Sequence, residues 1–246
     1  MASALIRILK LHRKVNRVFN YFYLAEEFVN RYSRSMKYTT IAWDWNGTLL
    51  DDAFICAECV NDMLRKRNMP VLDLDTYRSY VENPIIKAYE HIFDLKVVTF
   101  DTIVKEFYES YPKYMKDALL VPGAKELLEY FREQGCRQII ITAAHTPDVI
   151  EYLCKFGIKN YFDTVLGSDN LQGGSKISRA AEYAKSEKIS NGTLLMIGDT
   201  AHDAETADAI GADCILFSGG HQCEERLEAT GRPVVKNLLD IPALIE

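Results

Sequence analysis

The sequence has no apolar run that could cross a lipid bilayer, because no stretch approaches the roughly 20 consecutive apolar residues that a membrane-spanning helix needs. It also has no internal repeat and no low-complexity tract. Hydrophobic residues make up 48% and charged residues 26% of the 246 residues, which is typical of a globular protein. We therefore expect no integral membrane contact, and either one α/β domain with an insertion or two small domains.

The sequence also lacks the cysteine pattern of a disulfide framework or a complete zinc site. Only Cys56 and Cys59 form a Cys-x-x-Cys pair, and no second such pair or Cys/His pair follows at metal-ligand spacing. This pair lies in a helical pattern, so a redox pair or half of a zinc site is the less favoured interpretation. Scattered cysteines are typical of free thiols in a reducing compartment, and the predicted location is cytoplasmic.

Clustered positive charge is missing from most of the chain. Residues 1–37 carry eight Lys or Arg against two Glu, a net charge of +6, whereas the remaining residues carry 21 basic and 33 acidic side chains, a net charge of −12. An acidic body argues against nucleic-acid binding, because that binding depends on clustered positive charge. The acidity is ordinary for a protein surface and also fits carboxylates gathered around a metal ion.

Residues 1–36 are predicted to form an amphipathic helix, because apolar residues recur at alternating spacings of three and four. Such a helix would pack on the rest of the protein or on a partner, which includes self-association. The alternatives are a membrane-surface helix, an organellar transit peptide, and a functional chain that begins at Met36. The apolar seam consists of Ile8, Leu11, Val15, Val18, Phe22, Ala25, Val29 and Tyr32.

Strand and helix patterns alternate along the second half of the chain, which predicts right-handed crossovers and a parallel sheet. A β-prone run also lies at residues 39–44, whereas residues 53–118 contain only helical patterns. The predicted fold class is therefore α/β, a Rossmann-like doubly wound parallel sheet with an inserted small all-helical cap. The core is predicted at 37–52 and 119–246 and the cap at 53–118. Further strands are predicted at 138–142, 164–167, 193–197 and 214–217, and helices at 124–134, 147–156, 176–187, 201–210 and 222–229.

Chemically informative side chains follow the predicted strands, and ligands of parallel sheets bind at this edge. A carboxylate can attack phosphorus to form an acyl phosphate, provided that a magnesium ion offsets the repulsion between the two anions. Lysine and hydroxyl groups can hold the remaining phosphate oxygens. The candidates are Asp44 after the first strand, Thr142, Ala143 and His145 after the next, Lys176 at a helix start, and Asp199 and Asp203 after a later strand.

At these residues the chain resembles the haloacid dehalogenase (HAD) superfamily, specifically its phosphoglycolate phosphatase-like branch. The matching pieces occur in the family order, and the likeness covers about residues 38–220. These pieces are Asp44-x-x-Gly47-Thr48-Leu49, Thr142, Lys176 and Gly198-Asp199-x-x-x-Asp203. The resemblance implies a Mg²⁺-dependent phosphatase that hydrolyses a small phosphorylated metabolite through an aspartyl-phosphate on Asp44. Its implied metal ligands are Asp44, the backbone carbonyl of Asn46, Asp199 and Asp203. Its implied phosphate or orientation contacts are Thr48, Thr142, Ala143 and Lys176.

Asn46 departs from the family pattern, in which an aspartate at this position acts as general acid and base. An amide has no titratable proton near neutrality, and loss of positioned general catalysis costs roughly 10²–10⁴-fold in rate. Three hypotheses follow. His145 replaces the missing acid, or is only a polar residue at a helix start; the substrate has a good leaving group, such as an acyl phosphate; or the protein binds phosphorylated ligands and turns them over poorly.

Other chemistries of the same fold remain alternatives. A dehalogenase needs no metal, so the retained Asp199 and Asp203 disfavour it. A phosphonate-cleaving enzyme would need a cap lysine that forms an imine, and its candidates are Lys66, Lys87, Lys96, Lys105, Lys113 and Lys116. In the cap, Arg78 is a candidate for holding a second anionic group of the substrate. The sequence Gly219-Gly220-His221 is interpreted as a turn, with a place beside the site as the alternative.

Overall fold

The computed structural model describes residues 36–169, 176–189 and 192–245, and residues 37–246 form one compact unit. The helix predicted for residues 1–36 lies outside the described residues, apart from Met36. Among the described helices, none combines the length and the apolar character that a membrane span requires.

Six parallel strands form the central sheet, in the order β5-β4-β1-β6-β7-β8. Strand β1 lies in the middle and pairs with β4 on one side and β6 on the other. The chain runs outward from β1 to β4 and β5 and then crosses back to β6 on the other side of β1, and this reversal creates a crevice at the carboxyl ends of the central strands. The strands are β1 (Thr40–Trp43), β4 (Arg137–His145), β5 (Thr164–Ser168), β6 (Leu194–Gly198), β7 (Asp213–Phe217) and β8 (Val234–Val235).

Helices cover both faces of this sheet, so the strand side chains that point to either face are buried. Ala42 belongs to a cluster that includes Ala180 and Ala204 on one face. Trp43 points to the other face because successive strand residues alternate, and its ring meets that of Phe131 edge-on at 5.9 Å. The helices outside the insertion are α5 (Ala124–Glu133), α6 (Thr146–Lys155), α7 (Lys176–Ser186), α8 (Ala201–Ile210), α9 (Glu224–Glu228) and α10 (Ile241–Ile245), with 3₁₀ turns at Lys159–Tyr161 and Leu238–Asp240.

The insertion between β1 and β4 is helical across residues 53–115, a range that the structure describes completely. Its helices are α1 (Ala53–Lys66), α2 (Leu74–Tyr80), α3 (Ile86–Glu90) and α4 (Phe100–Met115). They share a hydrophobic cluster of their own, which includes Val60, Met63, Phe93 and Ile103. The chain enters and leaves the insertion through two short antiparallel strands, β2 (Leu50–Asp51) and β3 (Leu119–Leu120).

The predicted fold class is confirmed, since a parallel sheet covered on both faces is what the alternating patterns indicate. The predicted strands of this sheet lie within a few residues of the observed ones. The sequence patterns missed β2, β3 and β8, because a two-residue strand is too short to show alternation. The domain boundaries drawn at 53 and 118 stay a prediction.

Candidate active site

Three buried carboxylates meet at the carboxyl edge of the sheet. Asp44 directly follows β1 and Asp199 directly follows β6, and these two strands are hydrogen-bonded neighbours. Asp203 lies in the first turn of α8, where its Oδ2 accepts hydrogen bonds from the backbone N–H and the hydroxyl of Thr200. Each carboxylate offers one oxygen, and these three oxygens all lie within 4.8 Å of one another.

Lys176, the first residue of α7, joins two of these carboxylates. Its Nζ donates to Asp44 Oδ1 at 2.8 Å and to Asp203 Oδ1 at 2.6 Å. The lysine is itself buried, with 4% of its surface exposed. Burial lowers the pKa of Lys176, but the charges of Asp203 and Asp44 outweigh that effect and hold the pKa above its usual value. The ammonium group therefore stays charged at neutral pH.

The charge balance of this site favours a bound cation. Burial, with the nearby charges of Asp203 and Asp199, raises the pKa of Asp44 well above its usual value, against the lowering effect of Lys176. Burial likewise raises the pKa of Asp199 to about 6. Buried carboxylates that are costly to ionise become easy to ionise when a divalent cation binds them. Three convergent oxygen ligands therefore fit Mg²⁺, which prefers carboxylates to nitrogen or sulfur donors.

Glycines allow the backbone to approach the carboxylates closely. Gly47 has a φ of +75°, and a Cβ there would lie 2.2 Å from Asp199 Oδ2. A Cβ at Gly220 would lie at the same distance from that oxygen. Any side chain at either position would displace Asp199, so these glycines are required by the shape of the site.

The structure places the predicted phosphate contacts in two different settings. Thr142 and Ala143 line the same cavity as Asp44 and Lys176. Thr142 Oγ1 accepts a hydrogen bond from the backbone N–H of Ala144. Thr48 is buried and outside the cavity lining, and its hydroxyl donates to Asp199 Oδ1 at 2.9 Å. This contact favours a positioning role for Thr48, while its phosphate contact stays a prediction.

Asn46 belongs to a buried polar network that the sequence patterns did not reveal. Its amide donates to Asp52 Oδ2 at 2.6 Å, and the backbone N–H of Gly47 donates to Asp52 Oδ1 at 2.8 Å. His221 Nε2 lies 3.0 Å from Asp52 Oδ1, and the backbone N–H of His221 donates to Asp199 Oδ2 at 2.6 Å. This network fixes Asn46 and links it to the carboxylate cluster.

The Asp52–His221 contact is a buried ion pair at neutral pH. Burial lowers the pKa of His221, but the charge and hydrogen bond of Asp52 raise it to about 9. Burial raises the pKa of Asp52, and the charge of His221 brings it below its usual value. Asp52 precedes α1 in the position of a capping residue, yet its side chain makes no cap hydrogen bond. Aspartate is common at this position before a helix, so the residue type alone does not mark Asp52 as part of the site.

His145 is the last residue of β4, and it lines the cavity that contains Asp44. Its Nδ1 lies 3.2 Å from Asp148 Oδ2, within ion-pair distance. The orientation of the two groups is not that of a hydrogen bond, so Nδ1 has no hydrogen-bond partner among the residues that the structure describes. His145 therefore stands where a substrate in the cavity would meet it, and its acid–base role stays a prediction.

The cavity of about 630 Å³ lies between the helical insertion and the carboxyl edge of the sheet. Aromatic side chains from both sides contribute to its lining, together with the polar residues already described. The six lysines considered as imine formers are all outside this lining, in a part of the chain that the structure describes fully. The aromatic lining residues are Trp45, Tyr77, Tyr89, Phe100, Phe107, Tyr108, Tyr111 and Tyr152.

Arg78, the candidate for binding a second anionic group, is engaged elsewhere. Its guanidinium donates to the backbone carbonyls of Gly220 at 2.8 Å and Gly219 at 2.6 Å. Tyr77 Oη, on the same helix, lies 3.0 Å from His221 Nδ1. The segment 219–221 therefore borders the site and contacts α2.

Comparisons with known proteins find related sequences. The family model described as haloacid dehalogenase-like hydrolase matches residues 41–217. A protein named phosphoglycolate phosphatase from Rhodobacter capsulatus is 27% identical over 191 residues, which covers 74% of this chain and 85% of that protein. One of the same name from Caulobacter vibrioides is 28% identical and covers 82% and 89%.

Solved structures show the same fold. A haloacid dehalogenase-like hydrolase from Streptococcus pneumoniae superimposes with a TM-score of 0.74 at 19% identity, covering 85% of this chain and 99% of that one. A haloacid dehalogenase-like protein from Agrobacterium tumefaciens superimposes with a TM-score of 0.69 at 18% identity, covering 85% and 97%.

Proposed function

Because the chain belongs to the haloacid dehalogenase-like hydrolase family, we propose that it is a magnesium-dependent phosphatase that forms an aspartyl-phosphate on Asp44. Its substrate would be a small phosphorylated metabolite. The observation that carries this proposal is the convergence of Asp44, Asp199 and Asp203 within 4.8 Å at one edge of the sheet. The names of the phosphoglycolate phosphatases that resemble the chain support the same class of reaction.

Asp44 is proposed as the nucleophile because it is held in place and faces the cavity. The 2.8 Å contact with Lys176 fixes one carboxylate oxygen and leaves the other to attack phosphorus. The attack forms an acyl phosphate and releases the leaving group, and water then cleaves the acyl phosphate to regenerate the carboxylate. Lys176 would also neutralise negative charge on the phosphate oxygens during both steps.

The magnesium ion would be held by Asp44, Asp199, Asp203 and the backbone carbonyl of Asn46. When bound, it supplies the positive charge that lets a dianionic phosphate approach a carboxylate. Thr48 would keep Asp199 oriented through its hydrogen bond to that carboxylate. Thr142 and Ala143 would contact the phosphate group from the end of β4, beside Lys176 in the cavity lining.

Asn46 cannot protonate the leaving group, so the first step depends on the chemistry of that group or on another acid. His145 is the proposed substitute because it shares the cavity with Asp44. Replacement of His145 by Gln should then lower turnover and flatten its pH profile. Unchanged turnover with an unchanged pH profile would remove His145 from this role.

Phosphate release in the presence and absence of Mg²⁺ tests the proposed function. Acetyl phosphate is a suitable substrate because its leaving group needs no acid. We expect release that depends on Mg²⁺ and that Asp44→Asn abolishes, together with a phosphate adduct on the peptide that carries Asp44 after rapid acid quenching. The matched control is Asp117→Asn, an exposed aspartate of the insertion, which should leave release unchanged. Equal release by the Asp44→Asn variant would contradict the mechanism.

A weakly active phosphate-binding protein is the second candidate, favoured by the missing acid at Asn46. It predicts Mg²⁺-dependent binding of inorganic phosphate with negligible turnover of acetyl phosphate. A phosphonate-cleaving enzyme is less well supported, because the cavity lining contains none of the candidate lysines of the insertion.

A further inference from the structure

The cavity above Asp44 has more room than a small acidic leaving group would fill. Its volume of about 630 Å³ falls within the range of roughly 300–1,000 Å³ that holds drug-sized ligands. A phosphate group and two carbon atoms would occupy only a small part of that space. The remaining volume must be filled by a larger group of the substrate or by water.

Aromatic rings of the insertion form one wall of this space. Phe107 and Tyr111 are stacked with their ring centroids 5.3 Å apart, and Tyr108 meets Phe107 edge-on at 5.7 Å. Tyr152 of α6 lines the same cavity from the sheet side. Rings that already pack in stacked and edge-on geometries offer the same contacts to a further ring, and these are more favourable than contact with water.

The charges in the lining disfavour a second anionic group on the substrate. Apart from Lys176, which is bound to two carboxylates, Arg226 is the one lysine or arginine of the described residues that lines the cavity. Arg226 Nη1 lies 3.6 Å from Glu82 Oε2 and so already has an anionic partner. His221, the other cationic side chain of the lining, is paired with Asp52, and the exposed carboxylates of Asp148 and Glu205 add negative charge at the cavity edge. A carboxylate on the substrate would be desolvated here beside like charges.

The residue at position 46 imposes a separate chemical requirement. Asn46 supplies no proton, so the leaving group must depart as an anion unless another group such as His145 protonates it. A phenol has a pKa of about 10, as tyrosine does, whereas an aliphatic alcohol is closer to water at about 15.7. A phenolate is therefore a far better unprotonated leaving group than an alkoxide.

We infer that the substrate is an aryl phosphate, a phosphate monoester of a phenolic hydroxyl, whose ring lies against Phe107, Tyr108 and Tyr111. This inference rests on the proposed phosphatase function and specifies its substrate class. The phosphate binds beside Asp44 and Lys176, and the ring occupies the aromatic part of the cavity. Attack by Asp44 forms the bond to phosphorus, the P–O(aryl) bond breaks, and the electron pair leaves with the phenolate oxygen.

A panel of esters assayed with Mg²⁺ tests the substrate class. We expect kcat/KM for 2-naphthyl phosphate to exceed that for phosphoglycolate by on the order of 100-fold. Benzyl phosphate retains the ring but leaves as an alkoxide, so its KM should resemble that of phenyl phosphate while its kcat falls by about 10²-fold or more. A phosphotyrosine peptide and free naphthyl phosphate distinguish an aryl ester carried by a protein from one carried by a small molecule. Preference for either over phosphoglycolate supports the inference.

Substitution of a cavity ring tests the binding site. Phe107→Leu should lower the ratio of kcat/KM for 2-naphthyl phosphate to that for acetyl phosphate by about three- to tenfold, the loss of one aromatic contact. Phe54→Leu is the matched control, because Phe54 lies on the same insertion with 61% of its surface exposed and outside the cavity lining. An equal ratio of the two kcat/KM values in both variants would contradict binding of the substrate ring against Phe107.

Different results would contradict the phosphatase function and the aryl-ester substrate class. If acetyl phosphate is hydrolysed with Mg²⁺ but phosphoglycolate is preferred to every aryl ester, the aryl inference is overturned and the phosphatase function stands. If no compound of the panel releases phosphate, acetyl phosphate included, the phosphatase function itself is overturned.

Discussion

Asn46 has two roles. Its backbone carbonyl is a proposed metal ligand, and its side chain occupies the position of the missing acid. The amide donates to Asp52, which is also held by Gly47 and His221. A carboxyl group at position 46 would face Asp52 directly. Asp52 is ionised beside His221, so its negative charge would raise the pKa of the introduced carboxyl group and favour the protonated form that can act as an acid.

We therefore expect Asn46→Asp to accelerate hydrolysis of esters with poor leaving groups. The kcat for ethyl phosphate should rise by at least about tenfold, within the 10²–10⁴-fold that positioned general catalysis provides. Acetyl phosphate should respond much less, because its leaving group needs no proton. Steady-state phosphate release measures both rates. A similar gain for both substrates would point to a change in binding.

Replacement of Lys176 tests how much its charge stabilises the carboxylate cluster. Lys176→Met leaves Asp44 and Asp203 without their cation, and loss of one partner from a buried ion pair costs about 3–5 kcal/mol of unfolding free energy. Urea unfolding of the metal-free protein should show this loss, and saturating Mg²⁺ should reduce it. Lys236→Met is the matched control, since Lys236 is exposed and pairs with Glu224 at the surface. Equal unfolding free energies in the two variants would contradict the electrostatic role.

At the level of elements, the turn after β7 ties the insertion to the sheet. Arg78 holds the carbonyls of Gly219 and Gly220, and His221 contacts both Tyr77 and Asp52. Gln222 adds a hydrogen bond to the carbonyl of Val81. The same turn thus contacts the insertion and, through the His221 backbone, the carboxylate cluster.

The ion pair in this turn predicts a pH dependence of stability. The pKa of His221 is raised to about 9, so its contribution is fully present below its unfolded value of about 6.5 and is lost as the pH rises through about 9. The midpoint of urea unfolding should therefore fall between pH 7 and pH 10 in the native protein. His221→Gln should start lower and fall less over the same interval. Parallel pH profiles for the two proteins would disprove the pairing.

The sequence predicted the sheet far better than the site network. Strands such as β6 are continuous apolar runs between clear helices, so their pattern is strong. Asp44, Asp199 and Asp203 could be placed because they directly follow strands or open a helix. Asp52 could not be identified, because its partner His221 lies 169 residues away along the chain. Contacts of that kind depend on the tertiary fold and leave no local periodicity.

At the scale of the whole molecule, the proposed binding of Mg²⁺ would be coupled to folding. A ligand that binds only the native state stabilises it, by about 2.7 kcal/mol at a concentration of 100 times its Kd. Mg²⁺ should therefore raise the melting temperature at pH 7.5. It should do so less at pH 5, because Asp199, with a pKa of about 6, must then lose a proton to bind the ion. Thermal unfolding with and without EDTA measures both effects.

A variant separates this metal effect from general ionic stabilisation. Asp199→Asn should abolish the Mg²⁺-induced increase while keeping the size and planar shape of the side chain. Asp240→Asn, at an exposed 3₁₀ turn, should retain the full increase. An increase of equal size in all three proteins would show that Mg²⁺ acts elsewhere.

The ribbon of β2 and β3 places the start and the end of the insertion next to each other. Leu50 pairs with Leu120 and Asp51 with Leu119, so the two chain crossings form a single narrow junction. An insertion with adjacent ends can be exchanged without altering the path of the remaining chain. A chimera that keeps Asp52 and carries a relative's helices between positions 52 and 119 should keep the carboxylates in place and acquire the donor's substrate preference, so recognition and chemistry can evolve separately.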